Sequence, residues 1–105
     1  MTSATDQVLG PVGQEVMLDN ERVRVWHISL KPGETQPLHH HGLPYVVVAV
    51  EGAKHVIHTA DGKRIDIVEE TGGIVYREPG QIHTLTNVGD TVYVGRIIEL
   101  KAGFE

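Results

Sequence analysis

The sequence predicts an all-β fold, a sandwich or barrel of short strands, and two observations carry that reading. Period-2 and β-branched runs recur throughout, and no stretch has helical periodicity long enough for a helix. Turn-forming pairs punctuate those runs at short intervals. Strands at such spacing close into a sandwich or barrel, and a small jelly roll is the version that also curls around an interior site.

The expected elements follow in order. Residues 14–18 and 22–30 are parted by Asp19-Asn20, and Lys31-Pro32-Gly33 separates the second run from 36–41. The run 45–50 contains Val46-Val47-Val48-Ala49-Val50, which reads as a strand buried on both faces, with Val47 and Ala49 on the Tyr45 side. Strands 54–60 and 63–69 flank Asp61-Gly62, the strongest hairpin signal, because a tight hairpin turn needs positive φ at its central residues. Gly72-Gly73 introduces 73–77, Pro79-Gly80 precedes 82–87, and Gly89-Asp90 precedes 91–100. Residues 1–12 are expected to form a flexible N-terminal arm, 13–101 a single barrel domain and 102–105 a short tail.

At 105 residues the chain buries one core without a staple. It has no cysteine, which removes disulfides, Cys-based zinc sites and a thiol nucleophile. Nine basic against 14 acidic side chains give a net charge of -5. No Lys/Arg cluster is long enough to follow a phosphate backbone, so nucleic acid is not an expected partner. The N-terminus lacks the pattern of a signal peptide and no apolar run approaches a membrane span, so a soluble cytoplasmic protein without a membrane partner is expected.

Seven histidines are many for this length. His39 and His41 stand two apart in a strand-like run, and residues i and i+2 of a strand share a face. Their roots are about 6.6 Å apart at the strand rise, so both rings can lean onto one ion at about 2.0 to 2.1 Å. Exposed loop histidines are the plain alternative. A third histidine, His83, opens the run after Pro79-Gly80 and completes a three-nitrogen site if the two strands face each other. His40 points the other way.

These residues give the chain, over about 14–100, a resemblance to the small single-domain cupins. That family's first motif spaces a Gly, His-x-His, a Glu and a Gly, and Gly33, His39, His41 and Gly52 fall at matching positions, with Tyr45 where the Glu belongs. Gly72, Gly80, His83 and Asn87 match the second motif, with Pro79 displaced by one and Glu78 in its place. The resemblance implies a double-stranded β-helix, or jelly-roll, barrel. It also implies one divalent transition metal per chain held by His39, His41 and His83, iron first, with manganese, nickel or zinc as alternatives.

Without the carboxylate, three neutral ligands leave the ion's charge uncompensated, which favours a small substrate that brings its own negative charge. Up to three adjacent octahedral positions stay open, so dioxygenase-like chemistry is the expected reaction, with isomerase or lyase chemistry as alternatives. A non-catalytic sensor or binding module is the competing reading. Tyr45 is either a fourth ligand as phenolate or a hydrogen-bonding residue beside the ion. Glu51 is too far along the strand to replace the missing acid, and Glu78 is a weak substitute. Candidate cavity-lining residues are Val47, Ala49, His58, Arg77 and Leu85. His58 is preferred over His55, and Arg77 and Arg96 are candidate partners for a carboxylate, while Asn87 reads as structural. Exposed edge strands and the resemblance point to a homodimer, with 14–18 and 22–30, including Trp26, as the expected contact.

Overall fold

The computed structural model describes residues 9–101, and every regular element in that span is a strand. The strands are β1 (Glu15–Asp19), β2 (Val23–Leu30), β3 (Thr35–His40), β4 (Tyr45–Glu51), β5 (Ala53–Thr59), β6 (Arg64–Glu69), β7 (Ile74–Arg77), β8 (Ile82–Asn87) and β9 (Tyr93–Leu100). Asp61-Gly62 closes the β5–β6 hairpin with Gly62 at φ 93°. Only glycine takes that conformation without strain. No helix in the described residues is long and apolar enough to cross a membrane.

The named strands pair antiparallel into two sheets, ordered β1-β2-β9-β4-β7 and β3-β8-β5-β6. Strands of the first half interleave with strands of the second within both sheets, which is the double-stranded β-helix arrangement of a jelly roll. Ile28, Leu30, Tyr45, Ala49, Tyr93 and Ile97 form the core between the sheets. Their strands alternate as a sheet with one covered face must: β9 reads buried at Tyr93, Gly95, Ile97 and Glu99, with its other residues half-buried.

Three local features position the interior. β3 carries one extra residue between Gln36, opposite Leu85, and His39, opposite His83. Such a bulge re-aims side chains, and here it turns both Gln36 and His39 inward although they are three apart. Fully buried Asn87 donates from Nδ2 to Leu30 O at 2.9 Å and Thr91 O at 2.8 Å, and its Oδ1 accepts from Gly89 N at 2.9 Å. It therefore holds β2, β8 and the turn before β9 together. At Gly52 a Cβ would run into the Glu69 carbonyl oxygen, so that crossing admits only glycine.

Several expectations change. Gly10–Val12 are part of the body: Gly10 N donates to Leu38 O at 2.7 Å, Val12 is buried, and Gln36 Nε2 donates to Val12 O at 2.7 Å. The rest of the expected arm, 1–8, and the tail 102–105 lie outside the described residues. Trp26 turns inward, half-buried against the core, and its Nε1 donates to Glu99 at 2.6 Å. The Val46–Val50 strand has one covered face, because no third layer among the described residues lies over the five-stranded sheet. Its outward residues join an apolar row running Leu18, Val25, Ile98, Val46 and Tyr76 across the sheet.

Candidate metal centre

His39 and His83 face each other across the β3–β8 ladder. His41 lies one residue beyond β3, not within it, and is fixed by two backbone bonds to the turn before β8. His41 N donates to Gln81 O at 3.0 Å, and Gly80 N donates to His41 O at 2.7 Å. Gly80 takes φ 116° to make that approach. All three imidazoles are buried.

Their outer nitrogens fix their inner ones. His39 Nδ1 lies 2.8 Å from Pro37 O and His83 Nδ1 meets Gln81 Oε1. Oxygen there can only accept, so both Nδ1 atoms carry the proton and both Nε2 atoms present lone pairs. His41 Nε2 sits 3.0 Å from His39 Nε2 and 3.2 Å from His83 Nε2. One proton at most can lie among three nitrogens, so the contacts cannot all be hydrogen bonds, and a cation is the group that satisfies converging lone pairs. At nitrogen–metal distances of about 2.1 Å, one ion can span each of those separations. The residues fit a divalent transition ion.

Burial keeps these rings neutral. It pushes His41 down to about 3 and His83 down to about 4, each with further lowering from neighbouring charge, and it lowers His39 against the bond to Pro37. Neutral imidazole is the form that ligates. His41 Nδ1 is buried without a hydrogen-bond partner among the described residues, and that ring is oriented by stacking on Tyr45, with centroids 4.0 Å apart and planes 13° from parallel. Burial pushes the Tyr45 phenol up to about 12, with the Arg77 charge opposing and Glu69 reinforcing the rise. In the metal-free protein the phenol keeps its proton.

The histidines open onto a cavity of about 80 Å³. Val47, Arg77 and Leu85, expected there from sequence, line it together with Tyr45, Ile57, Ile67, Glu69 and Tyr93. Ala49 lies in the packed core beside it. His58 is exposed on the outer face and lines nothing, whereas His55 is the buried one. Lys54, two residues from Val56 and four from His58, fixes the outward parity of β5 and was the available signal. Arg96 also points away from the cavity, with Nη1 2.8 Å from His27 Nδ1, and Glu51 and Glu78 are exposed. His40 is exposed on the opposite face from its neighbours.

Sequence reasoning missed Gln36, Glu69, Tyr93 and Gln81. Gln36 was hidden by the bulge, which breaks the parity that a regular strand would give, and nothing local marks Glu69 or Tyr93.

No protein-family model matches the chain, and no curated protein matches it. Solved structures do. A cupin domain from Bordetella pertussis Tohama I is 33% identical with a TM-score of 0.77, over 84% of this chain and 91% of that one. An RmlC-like cupin with a double-stranded β-helix fold from Methanocaldococcus jannaschii is 20% identical with a TM-score of 0.68, over 83% and 77%. The DMSP lyase DddQ from Ruegeria pomeroyi DSS-3 shares the fold at 10% identity and a TM-score of 0.59, over 82% of this chain but 42% of the lyase.

Proposed function

Because this chain belongs to the cupin family, we propose that it is a metal-dependent enzyme acting on a small anionic organic molecule, with the ion held by His39, His41 and His83. The observation that carries this reading is the convergence of three Nε2 atoms, two of them on rings whose Nδ1 is already engaged. A divalent transition ion there, with iron first among the candidates, would supply Lewis-acid or dioxygen-activating chemistry. The chain's own residues do the rest. Arg77, lining the same cavity, offers a positive charge to a carboxylate, and the protonated Tyr45 hydroxyl offers a hydrogen bond to an oxygen of the substrate. Arg77 is exposed, so it acts from the mouth of the cavity.

Dioxygenation is the leading reaction, since three protein ligands leave room for two further groups side by side. Lyase chemistry is the alternative within the same class, and the fold-level likeness to DMSP lyases shows only that this barrel can carry it. A purely binding role has one observation in its favour: Tyr45 occupies the place of the family's usual acid, so the protein supplies no anionic ligand from that position.

Metal analysis of protein purified without added metal tests the first step. Less than about a tenth of an equivalent of any transition metal, with no uptake on titration, overturns the metal site. Oxygen consumption by the loaded protein across diketones, thiol acids and aromatic diols then separates dioxygenase from binding module, and turnover of any of these compounds rejects the latter.

A further inference from the structure

The cavity has a second polar station that the three-histidine site does not use. Glu69, at the end of β6, lines the same cavity as the histidines, and its side chain is 11% exposed. Tyr93 donates to its Oε1 at 3.1 Å. Burial and the Glu69 charge push the Tyr93 phenol up, so it remains a donor. His55 Nδ1 lies 2.7 Å from Glu69 Oε2, an ion-pair distance, but off the N–H direction, so that nitrogen gains no hydrogen bond and neither does His55 Nε2. The His55 ring stands edge-on to Tyr93 with centroids 4.3 Å apart. The carboxylate is therefore held in place while retaining acceptor capacity toward the cavity.

Glu69 stands off the ion. The metal-ligating cluster found among the described residues contains the three histidines and no acid. Along β8, His83 lies four residues from Asn87, about 13 Å at the strand rise. His55 pairs with Asn87, and Glu69 lies two pairs further along β5, opposite Ala53. The space between the ends is walled by aliphatic residues, among them Val47, Ile57, Ile67 and Leu85. Arg77 sits at the histidine end, across the ladder from Tyr45, where its charge reaches both Tyr45 and His83. The cavity thus carries a positive group at its exposed histidine end and a negative group at the Glu69 end, whose charge also reaches Tyr45, with aliphatic walls between.

We propose that this cavity binds a short aliphatic zwitterion, with its carboxylate at the histidines and Arg77 and its cationic end at Glu69. The carboxylate end rests on the metal reading and the cationic end does not. Electrostatic complementarity of this kind sets the direction in which a ligand enters and excludes ligands of the wrong charge pattern.

The test uses the full chain loaded with cobalt(II) and a series of ω-amino acids: β-alanine, γ-aminobutyrate, δ-aminovalerate and ε-aminocaproate. The alkanoates and ω-hydroxy acids of the same lengths serve as comparisons. Calorimetry and the cobalt visible bands report binding without any turnover. The expected result is that at least one ω-amino acid binds about tenfold or more tightly than its alkanoate and its hydroxy acid, and that Glu69→Gln brings the ratio within about twofold with cobalt uptake unchanged. If no ω-amino acid exceeds its comparisons in the wild-type protein, the proposal is overturned, whether or not Glu69→Gln folds. Retained preference in a folded Glu69→Gln protein overturns it as well, and so does loss of cobalt from that variant, which would make Glu69 part of the ion's own shell. Failure of the wild-type protein to take up cobalt overturns the metal reading instead. The series on metal-free protein then decides this proposal, because Arg77 and Glu69 remain at the two ends.

Discussion

His39, His41 and His83 each contribute one nitrogen to a set of three, so alanine at any one of them leaves two imidazoles and no nearby acid to compensate. Metal content should collapse in His39→Ala, His41→Ala and His83→Ala, and stay near the wild-type level in His40→Ala, whose ring faces away. Thermal melts give a second check, since free metal at about a hundred times its dissociation constant adds about 2.7 kcal/mol; the gain should appear in His40→Ala and vanish in the other three. Tyr45→Phe separates the two readings of that residue: metal content is kept if the phenol only donates a hydrogen bond and is lost if its phenolate is a ligand. Metal-free protein should also respond to acid. The three buried rings have pKa values below the ordinary value of about 6.5 that they regain on unfolding. The unfolded chain then binds more protons below that pH, so stability is full above about 6.5 and declines as pH falls toward the folded values near 3 to 4. Melting temperatures of metal-free wild type and His83→Ala between pH 7 and 4 check this, with a shallower slope expected for the variant. The three-histidine cluster was legible from sequence because a His-x-His spacing and a turn-placed third histidine are local signals. His55 was not, because two histidines three apart on one strand face opposite ways, and choosing between them needs the outward parity that Lys54 supplies.

At the scale of the strand, legibility was high: all nine expected runs appear with no boundary shifted by more than two residues, because glycine and proline turns interrupt clear β patterns. What sequence could not supply was irregularity. The β3 bulge carries Pro37, which lacks an N–H to lose from the ladder, yet neither Pro37 nor its neighbours announce that Gln36 and His39 will face the same way. His41 likewise takes its position from the Gly80 turn and not from strand pairing. Gly52 separates local from tertiary demands. It does not need positive φ, but an added Cβ has no space against the Glu69 carbonyl, whereas Gly62 has open space and positive φ. Gly52→Ala should cost about 2 kcal/mol or more, and Gly62→Ala about 1 to 2 kcal/mol from its backbone conformation alone. Urea denaturation of both variants measures the difference, and because Gly52 abuts the Glu69 backbone, only its replacement should also disturb the cavity.

For the whole molecule, the outer faces of the two sheets differ. The four-stranded sheet presents Thr35, His40, Lys54, His58, Arg64 and Asp66 outward, an ordinary solvated surface. The five-stranded sheet presents Leu18, Val25, Ile98, Val46 and Tyr76 in one row, with Val48 and Ile74 in the next beside a His27–Arg96 contact. Leu18, Tyr76 and Ile74 are 51%, 53% and 70% exposed. Five strands of about seven residues cover roughly 24 by 23 Å, approaching the roughly 800 Å² per partner of a standard interface. We propose that this face meets its own copy across a two-fold axis, giving a homodimer through the sheet surface and not through Trp26. Sedimentation should give the dimer mass at tens of micromolar, and Ile98→Glu should shift the protein to monomer; a wild-type monomer refutes the pairing. The bridge between Gly10 and the strand of His39 has a consequence of a different kind. The Gly10 amide is closed by Leu38 O, one residue from His39, although it lies 29 or more positions from every histidine of the site. Its deuterium uptake therefore times the opening of β3, and filling the centre with metal should slow that exchange, making an N-terminal amide a clock for occupancy that isotope-exchange mass spectrometry can read.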